Sequence, residues 1–282
     1  MQRNIFITLI ISMLLIMLII ISLLFSIIKV NTNNIAKISS SDIKFVHMDH
    51  SIINDEGATM AIIYYDKPTV NGTSSIALKI NEFFEEEYQG WRNGSNRLNE
   101  YGDGWMESYL MRVEELRVAW GDNVIKEYPL YNTIESEVVL LNSNILSIKQ
   151  TLYYSLGGYS NSAFYGSTFS LDTGERIPFD DIVNVNADLF RSRLALYLVD
   201  FINQSREESD VSRTINEYYG PNEAHSFDIY VGNHVYQLNY EYYYDGKYFY
   251  IPEYFGLYRG TTAEVIKWNG KTGDLFKASI EP

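Results

Sequence analysis

The four histidines are the first residues to consider, because imidazole is both a general base near neutral pH and a common metal ligand. Two of them, His47 and His50, form an H-x-x-H pair. The surrounding residues FVHMDHSII predict a strand, in which successive side chains point to opposite faces. The two imidazoles would then share a metal ion only on a helix or a bent loop. We expect no metal ion and no other cofactor at this pair.

The other two histidines, His225 and His234, lie near Asp228 in the sequence, as a catalytic triad would require. A triad also needs a serine on a strained turn, and the sequence contains no G-x-S-x-G segment. It contains no H-E-x-x-H pair, no P-loop and no dinucleotide-binding glycine pattern either. We therefore expect no catalytic residue. The alternative is a cell-wall hydrolase or deacetylase with an unrecognised site.

Two groups of carboxylates could supply an acid and a base. Four of the residues at 82–87 are glutamates, and they alternate with apolar residues at helical spacing, which is typical of the solvated face of an amphipathic helix. Asp180 and Asp181 follow Pro178, which indicates the start of a turn or short helix. Neither group predicts a catalytic pair.

Tyrosines are the third group, because aromatic rings stack on sugars and the phenol adds a polar tip. The stretch 240–258 is rich in tyrosine, but alternating tyrosines are also typical packing residues of a strand. The polar loop after the double glycine Gly157-Gly158 is the better candidate. We expect Tyr159 and Tyr165 to be exposed beside this loop and, with Asn161, to bind ligand.

Residues 5–30 are almost entirely Ile, Leu, Met, Val and Phe. At about 1.5 Å per residue this helix would cross the roughly 30 Å hydrocarbon core. A cleaved signal peptide is the alternative, but its apolar region is usually about 7–15 residues long and ends at a small-residue cleavage site. We predict a single-pass signal anchor over 1–30 and a tether over 31–42. Arg3 favours a cytoplasmic N-terminus, which places the C-terminal domain outside the cell membrane.

The predicted extracellular part is strongly acidic. Removing Arg3 and Lys29 from the 22 basic residues leaves 20 against 36 acidic ones, or about −16. Such a domain would be repelled by nucleic acid and by anionic membrane surfaces, whereas a cationic protein would be attracted. Because the sequence has no cysteine, the fold depends on core burial rather than on disulfides.

The hydrophobic pattern predicts an α+β fold. Two strands, at 43–53 and near 61–70, precede an amphipathic helix from Ser74 and a second helix over 105–120, with Trp105 and Trp120 anchoring the latter. A hairpin over 128–141 and 145–155 follows, then a strand over 164–171, a D-T-G turn and a returning strand over 176–179.

Beyond this region we predict a helix that begins at Asn186 and strands over 227–231, 235–244, 247–251 and 262–268, with Asp245-Gly246 as a type I′ turn. The predicted fold class is α+β with antiparallel sheets, helices packed on one face, and two related lobes, 43–183 and 184–282. One N-terminal transmembrane helix precedes them.

Three motifs occur in a fixed order along this pattern. Their residues are Tyr153, Tyr154, Gly157 and Gly158, then Leu171, Asp172, Thr173, Gly174, Ile177, Phe179, Asp181 and Ile182, and finally Ile251, Pro252, Tyr254 and Gly256. The ordered set resembles the ectodomains of RsiV-type anti-sigma factors and the N-terminal region of PdaC-type peptidoglycan deacetylases. It implies a DUF4163-like first lobe and a DUF3298-like second lobe, in a protein of the bacterial cell envelope.

The departures from this family narrow the function that the resemblance implies. Residues 157–161 read GGYSN where family members usually carry GGAHG, so no role of that histidine is carried over. Only about three residues precede the apolar segment, and we expect no deacetylase domain after residue 282. The resemblance therefore implies a non-catalytic binding or sensing module. Its expected ligand is a cationic protein such as lysozyme, or the cell-wall glycan peptidoglycan.

Overall fold

The computed structural model describes residues 17, 20, 38–95, 104–127, 129–157, 161–182, 241–252, 264–269 and 274–279. The chain divides into two compact units, Met1–Lys37 and Ile38–Pro282. In the first unit Met17 and Ile20 are helical and exposed. Among the described residues, no helix has the length and apolar character needed to span a membrane. Apart from Met17 and Ile20, the predicted anchor at 1–30 lies outside these residues.

The larger sheet of the second unit has six strands. They are β1 (Ile43–Asp49), β2 (Ile52–Ile53), β3 (Thr59–Val70), β4 (Leu130–Leu141), β5 (Ile145–Ser155) and β6 (Asn161–Ser170). Their order is β1-β3-β4-β5-β6, and β2 also pairs with β3. All pairs are antiparallel except β3 with β4, which run parallel. The prediction of purely antiparallel sheets is wrong at this pair, because a helical crossover joins the two strands.

In its described residues the crossover contains three helices, α1 (Ser75–Arg92), α2 (Trp105–Trp120) and α3 (Asp122–Glu127). Helix α1 begins after Ser74, whose hydroxyl accepts a hydrogen bond from the Ala77 backbone N–H at 3.1 Å. It buries an apolar stripe at intervals of three or four residues that includes Ile80, Phe84 and Trp91.

Helix α2 buries its own stripe, which includes Trp105, Tyr109 and Leu116. The prediction that both tryptophans anchor this helix is right for Trp105 and wrong for Trp120, which is 59% exposed. Trp120 is the last residue of the helix and lies four residues beyond the last buried one, so it projects past the buried stripe.

Helices α1 and α2 pack on the same face of the larger sheet. Trp91 Nε1 donates a hydrogen bond to Oδ1 of Asn132 in β4 at 3.2 Å. Trp91 and Trp105 belong to one buried cluster with Ile63 and Ile134 of the sheet. A second buried cluster joins the start of α1 to the start of β5 and the end of β6. These observations confirm the α+β class.

The D-T-G motif forms the turn after β6. Gly174 has a φ of 76° and its N–H donates to the Ser170 carbonyl oxygen at 2.8 Å. The predicted returning strand over 176–179 is wrong: only a single bridge joins Phe169 to Arg176. Pro178 has no N–H to continue a ladder, and the short helix α4 (Phe179–Ile182) begins directly after it, as the Asp180-Asp181 pair predicted.

A smaller antiparallel sheet has the order β10-β9-β8-β7. Its strands are β7 (Tyr243–Tyr244), β8 (Tyr248–Pro252), β9 (Glu264–Asn269) and β10 (Asp274–Ser279). The type I′ turn predicted at Asp245-Gly246 is wrong, because both central residues of such a turn need a positive φ and in the described residues only glycines have one. Instead, the Asp245 carboxylate accepts hydrogen bonds from the N–H groups of Lys247 at 2.8 Å and Tyr248 at 2.7 Å.

The predicted helix from Asn186 and the strand over 227–231 lie outside the described residues. The boundary between the two predicted lobes, 43–183 and 184–282, also lies outside the described residues. The division into lobes therefore stays a prediction.

Candidate binding face

The face of the larger sheet opposite to α1 and α2 carries a group of polar and aromatic side chains. We call it the acidic face. Its members are His47 of β1, Tyr64 and Asp66 of β3, Glu135 and Glu137 of β4, and Lys149 and Tyr153 of β5. Three of them are carboxylates and one is an ammonium group.

Strand register brings these side chains together. His47 lies opposite Asp66 in the β1–β3 pair, and Glu137 lies opposite Lys149 in the β4–β5 pair. Thr133 is opposite both Tyr64 of β3 and Tyr153 of β5. Since side chains two apart on a strand share a face, Glu135 and Glu137 lie on the same face as Thr133.

His47 and Asp66 form the pair nearest the sheet edge. Nδ1 of His47 lies 2.7 Å from Oδ1 of Asp66. The two atoms form a hydrogen bond, which becomes an ion pair when the imidazole is protonated. The His47 side chain is 56% exposed, and its ring centroid lies 4.6 Å from that of Tyr64. A ligand can therefore reach both rings from solvent.

Tyr64 links this pair to the centre of the face. Its hydroxyl donates a hydrogen bond to Oε1 of Glu135 at 2.9 Å. Burial, together with this hydrogen bond and the charge of Glu135, raises the pKa of Tyr64 to about 12. Tyr64 therefore stays a neutral phenol, and Glu135 remains an exposed carboxylate with one of its oxygens already oriented.

The third part of the face is centred on Lys149. Its Nζ lies 2.6 Å from Oε1 of the exposed Glu137 and 4.9 Å from the ring centroid of Phe164. Burial first, and then the charges of Glu135 and Glu137, raise the pKa of Tyr153. The carboxylates thus outnumber the ammonium group, and their field acts on the neighbouring phenols.

The smaller sheet covers one end of this side of the larger sheet. The Tyr244 N–H donates to the Ser147 hydroxyl at 2.8 Å, and the Thr168 hydroxyl donates to the Tyr242 carbonyl oxygen at 3.3 Å. Gly166 permits this approach, because a Cβ at that position would lie 2.0 Å from the carbonyl carbon of Tyr242. The rest of the acidic face stays open to solvent at His47, Glu135 and Glu137.

Of the three residues predicted to bind ligand, Tyr165 does not lie on an exposed loop. Tyr165 is only 7% exposed and belongs to the core beneath the helices, so the expectation that it is exposed is wrong. The reason is register: Tyr165 lies opposite Gln150 in β5, whose side chain faces the helices. The backbone of Asn161 pairs with Tyr154 at the start of β6, and Tyr159 lies outside the described residues.

The motif residues lie in different parts of the structure. Tyr153 lies on the acidic face, while Tyr154 packs against the core on the helix side. Gly157 has a φ of 79°, and a Cβ there would lie 2.7 Å from Cδ1 of Leu116.

Of the remaining motif residues, Leu171, Phe179 and Ile251 are buried, and others are at the surface or outside the described part. Asp172 and Asp181 are exposed, and the backbone of Pro252 ends β8. Gly158, Tyr254 and Gly256 lie outside the described residues.

The prediction that His47 and His50 point to opposite faces is confirmed. His47 lies on the acidic face, whereas Nε2 of His50 lies 2.8 Å from the Tyr88 hydroxyl of α1. Burial, and secondarily the charge of Arg92, lower the pKa of His50, so its imidazole is neutral at pH 7. Within the described residues, no group of three or more His, Asp and Glu side chains is arranged to hold a metal ion.

Sequence reasoning did not single out the acidic face. One signal was present: Tyr64 and Asp66 take alternate positions along β3, and Glu135 and Glu137 take alternate positions along β4, with an uncharged residue between the members of each pair. This period of two places each pair on one side of its strand. It does not show that β3 and β4 are neighbours, which depends on the crossover.

No family model matches the chain, and no curated protein matches it. Two solved structures of DUF3298 family proteins are similar to it. One, from Bacteroides fragilis, is 13% identical, covers 84% of this chain and 89% of its own, and has a TM-score of 0.37. The other, from Pseudomonas aeruginosa, is 10% identical, covers 61% of this chain and 72% of its own, and has a TM-score of 0.34. These structural neighbours thus carry one of the two family names that the sequence motifs suggested, and at these TM-scores no residue role is transferred from them.

Proposed function

We propose that this protein is a membrane-anchored extracellular binding module, without catalytic activity, and that the acidic face binds a cationic protein such as lysozyme. The observation that carries the proposal is the placement of Asp66, Glu135 and Glu137 on one partly exposed sheet face, against the single ammonium group of Lys149.

The chemistry of the face suits lysine and arginine side chains. Carboxylates accept charge-assisted hydrogen bonds, which are shorter and stronger than neutral ones, and arginine can bond both carboxylate oxygens at once. The rings of Tyr64 and His47 offer an aromatic surface beside these carboxylates for the flat face of a guanidinium group. A positively charged partner would also be steered toward the domain by its overall acidic charge.

The resemblance to RsiV-type ectodomains supports the same partner, because those ectodomains are associated with lysozyme recognition. The predicted anchor at 1–30 supports an extracellular location, where such a partner occurs. Peptidoglycan is the other ligand that the resemblance implies, but three carboxylates offer little to an uncharged sugar beyond hydrogen bonds.

The test is a titration of residues 31–282 with lysozyme at low and high salt, using a double variant Glu135→Gln, Glu137→Gln. Exposed ion pairs contribute about 0.2–1 kcal/mol each, so losing two should raise Kd by about 2- to 30-fold. The matched control is Glu82→Gln, Glu86→Gln, which removes the same charge from exposed positions of α1. If both double variants weaken binding equally, or lysozyme does not bind at low salt, the acidic face is not the binding site.

Three further measurements test this proposal against its alternatives. Soluble peptidoglycan fragments alone should not bind the domain, and their binding would favour a glycan site. Incubation of the domain with peptidoglycan, with and without a chelator, should release no product, whereas product formation would favour the hydrolase or deacetylase. Protease added to intact cells should remove the domain, and complete protection would contradict the extracellular location.

A further inference from the structure

Strand β1 lies at one edge of the larger sheet, and in the part of the chain that the structure describes it pairs only with β3. The His50 N–H donates to the Ile63 carbonyl oxygen at 2.8 Å, and the Asn71 N–H donates to that of Asp42 at 2.7 Å. Even-numbered residues of β1 therefore bond to β3. In an antiparallel pair the bonding direction alternates, so the backbone groups of Phe45 and His47 point away from the sheet.

Two neighbouring side chains in the middle of this edge strand are apolar and exposed. Phe45 is 40% exposed on the side of the acidic face, and Val46 is 42% exposed on the helix side. An exposed apolar edge strand is a surface that readily pairs with another strand. The charges of Lys44 and Asp49 balance each other, so β1 is a neutral strip in a chain with a net charge of −14. A partner strand without net charge therefore suits this edge better than a charged strand, and β1 is itself such a strand.

We propose that β1 pairs antiparallel with β1 of a second copy of this chain, about a two-fold axis at Val46. Two edge strands form hydrogen bonds only where residues with outward-pointing backbone N–H and C=O groups lie opposite one another. In β1 these are the odd-numbered residues, so the two-fold axis passes through a residue rather than between two residues. Among such positions, only Val46 is the middle of Ile43–Asp49 and pairs the whole strand. Phe45 then lies opposite the second copy's His47, which forms an aromatic cross-strand pair on each side of the axis.

This pairing joins the two larger sheets into one and brings the two acidic faces side by side. The inference does not rest on the proposed function, because it depends only on the backbone groups and side chains of β1. Salt should favour the dimer, since it screens the repulsion between two acidic chains.

The first test uses the absence of cysteine from the chain. Val46→Cys in the full-length protein, in a mild detergent, places two thiols in a non-hydrogen-bonded pair with Cα atoms about 4.5 Å apart, within the range that a disulfide spans. The matched control is Lys44→Cys on the same side of the strand. Its two thiols would sit four residues apart along the paired strands, about 13 Å, which a disulfide does not span.

Oxidation should cross-link Val46→Cys at least about tenfold more than Lys44→Cys, because only the former meets the disulfide geometry. Equal cross-linking of the two variants, or none in either, would overturn the proposal. Sedimentation provides the second test. Wild type and Val46→Thr should be dimeric, and Val46→Glu, which places two carboxylates at the axis, should be monomeric with unchanged tryptophan fluorescence. A monomeric wild type, or a dimeric Val46→Glu, would show that the chains do not meet at this edge.

Discussion

Replacing Gly174 with alanine tests how the D-T-G turn is held against α1. Gly174 has a φ of 76°, and a Cβ added there would lie 2.9 Å from both Cα and the carbonyl oxygen of Ile76. Favourable contacts between carbon atoms are about 3.5–4.0 Å, so the turn or the first turn of α1 must move by roughly half an ångström. The contacted atoms of Ile76 belong to the helix backbone, which cannot rotate away as a side chain can.

The chain offers a matched control at Gly57. Its φ is 81°, and a Cβ there would have no atom within 4 Å. Both substitutions place a Cβ in the left-handed region, at about 1–2 kcal/mol, partly offset by about 0.4–1 kcal/mol from a less flexible unfolded chain. Only Gly174→Ala adds the overlap with α1, and overpacking of this kind typically costs about 1–3 kcal/mol.

We therefore expect the free energy of unfolding of Gly174→Ala to be about 1–3 kcal/mol lower than that of Gly57→Ala. The assay is urea denaturation followed by the fluorescence of the buried Trp91 and Trp105. With a slope of about 3 kcal/mol per molar urea, the two midpoints should differ by about 0.3–1 M. Equal midpoints would refute the reasoning, since they would mean that the turn does not contact the backbone of α1.

Two further predictions concern His50 and the smaller sheet. Because burial and the charge of Arg92 lower the folded-state pKa of His50, the unfolded chain binds the extra proton as pH falls below about 6.5. Stability should therefore fall with decreasing pH in that window, by at most about 1.4 kcal/mol per pH unit, and His50→Gln should flatten the curve; parallel curves would contradict this. Gly166→Ala should force the backbone of Tyr242 away from β6, because the new Cβ would lie 2.0 Å from its carbonyl carbon. Hydrogen exchange at the Tyr244 N–H, which donates to Ser147 in the wild type, should then accelerate, and unchanged protection would show that the smaller sheet docks differently.

The sequence alone determined most of the local elements between Ile43 and Ile182. Helix α1 begins after Ser74 and α2 spans Trp105–Trp120, as the helical periodicity predicted. The hairpin of β4 and β5 turns at 142–144, where the Asn142 side chain accepts hydrogen bonds from two backbone N–H groups. These features depend on residues within a few positions of one another, so their signals are local.

The tertiary structure alone decided which strands are neighbours and hence which residues form the acidic face. Tyr64 and Glu135 are 71 residues apart, and they meet only because the helical crossover places β4 parallel to β3. Tyr165 was expected at the surface, yet the register of β6 on β5 turns it into the core. A strand pattern gives two faces without saying which one the helices cover, because that choice depends on long-range burial. The chemistry of the open face therefore follows from how the sheet is assembled, and no single segment of the sequence contains it.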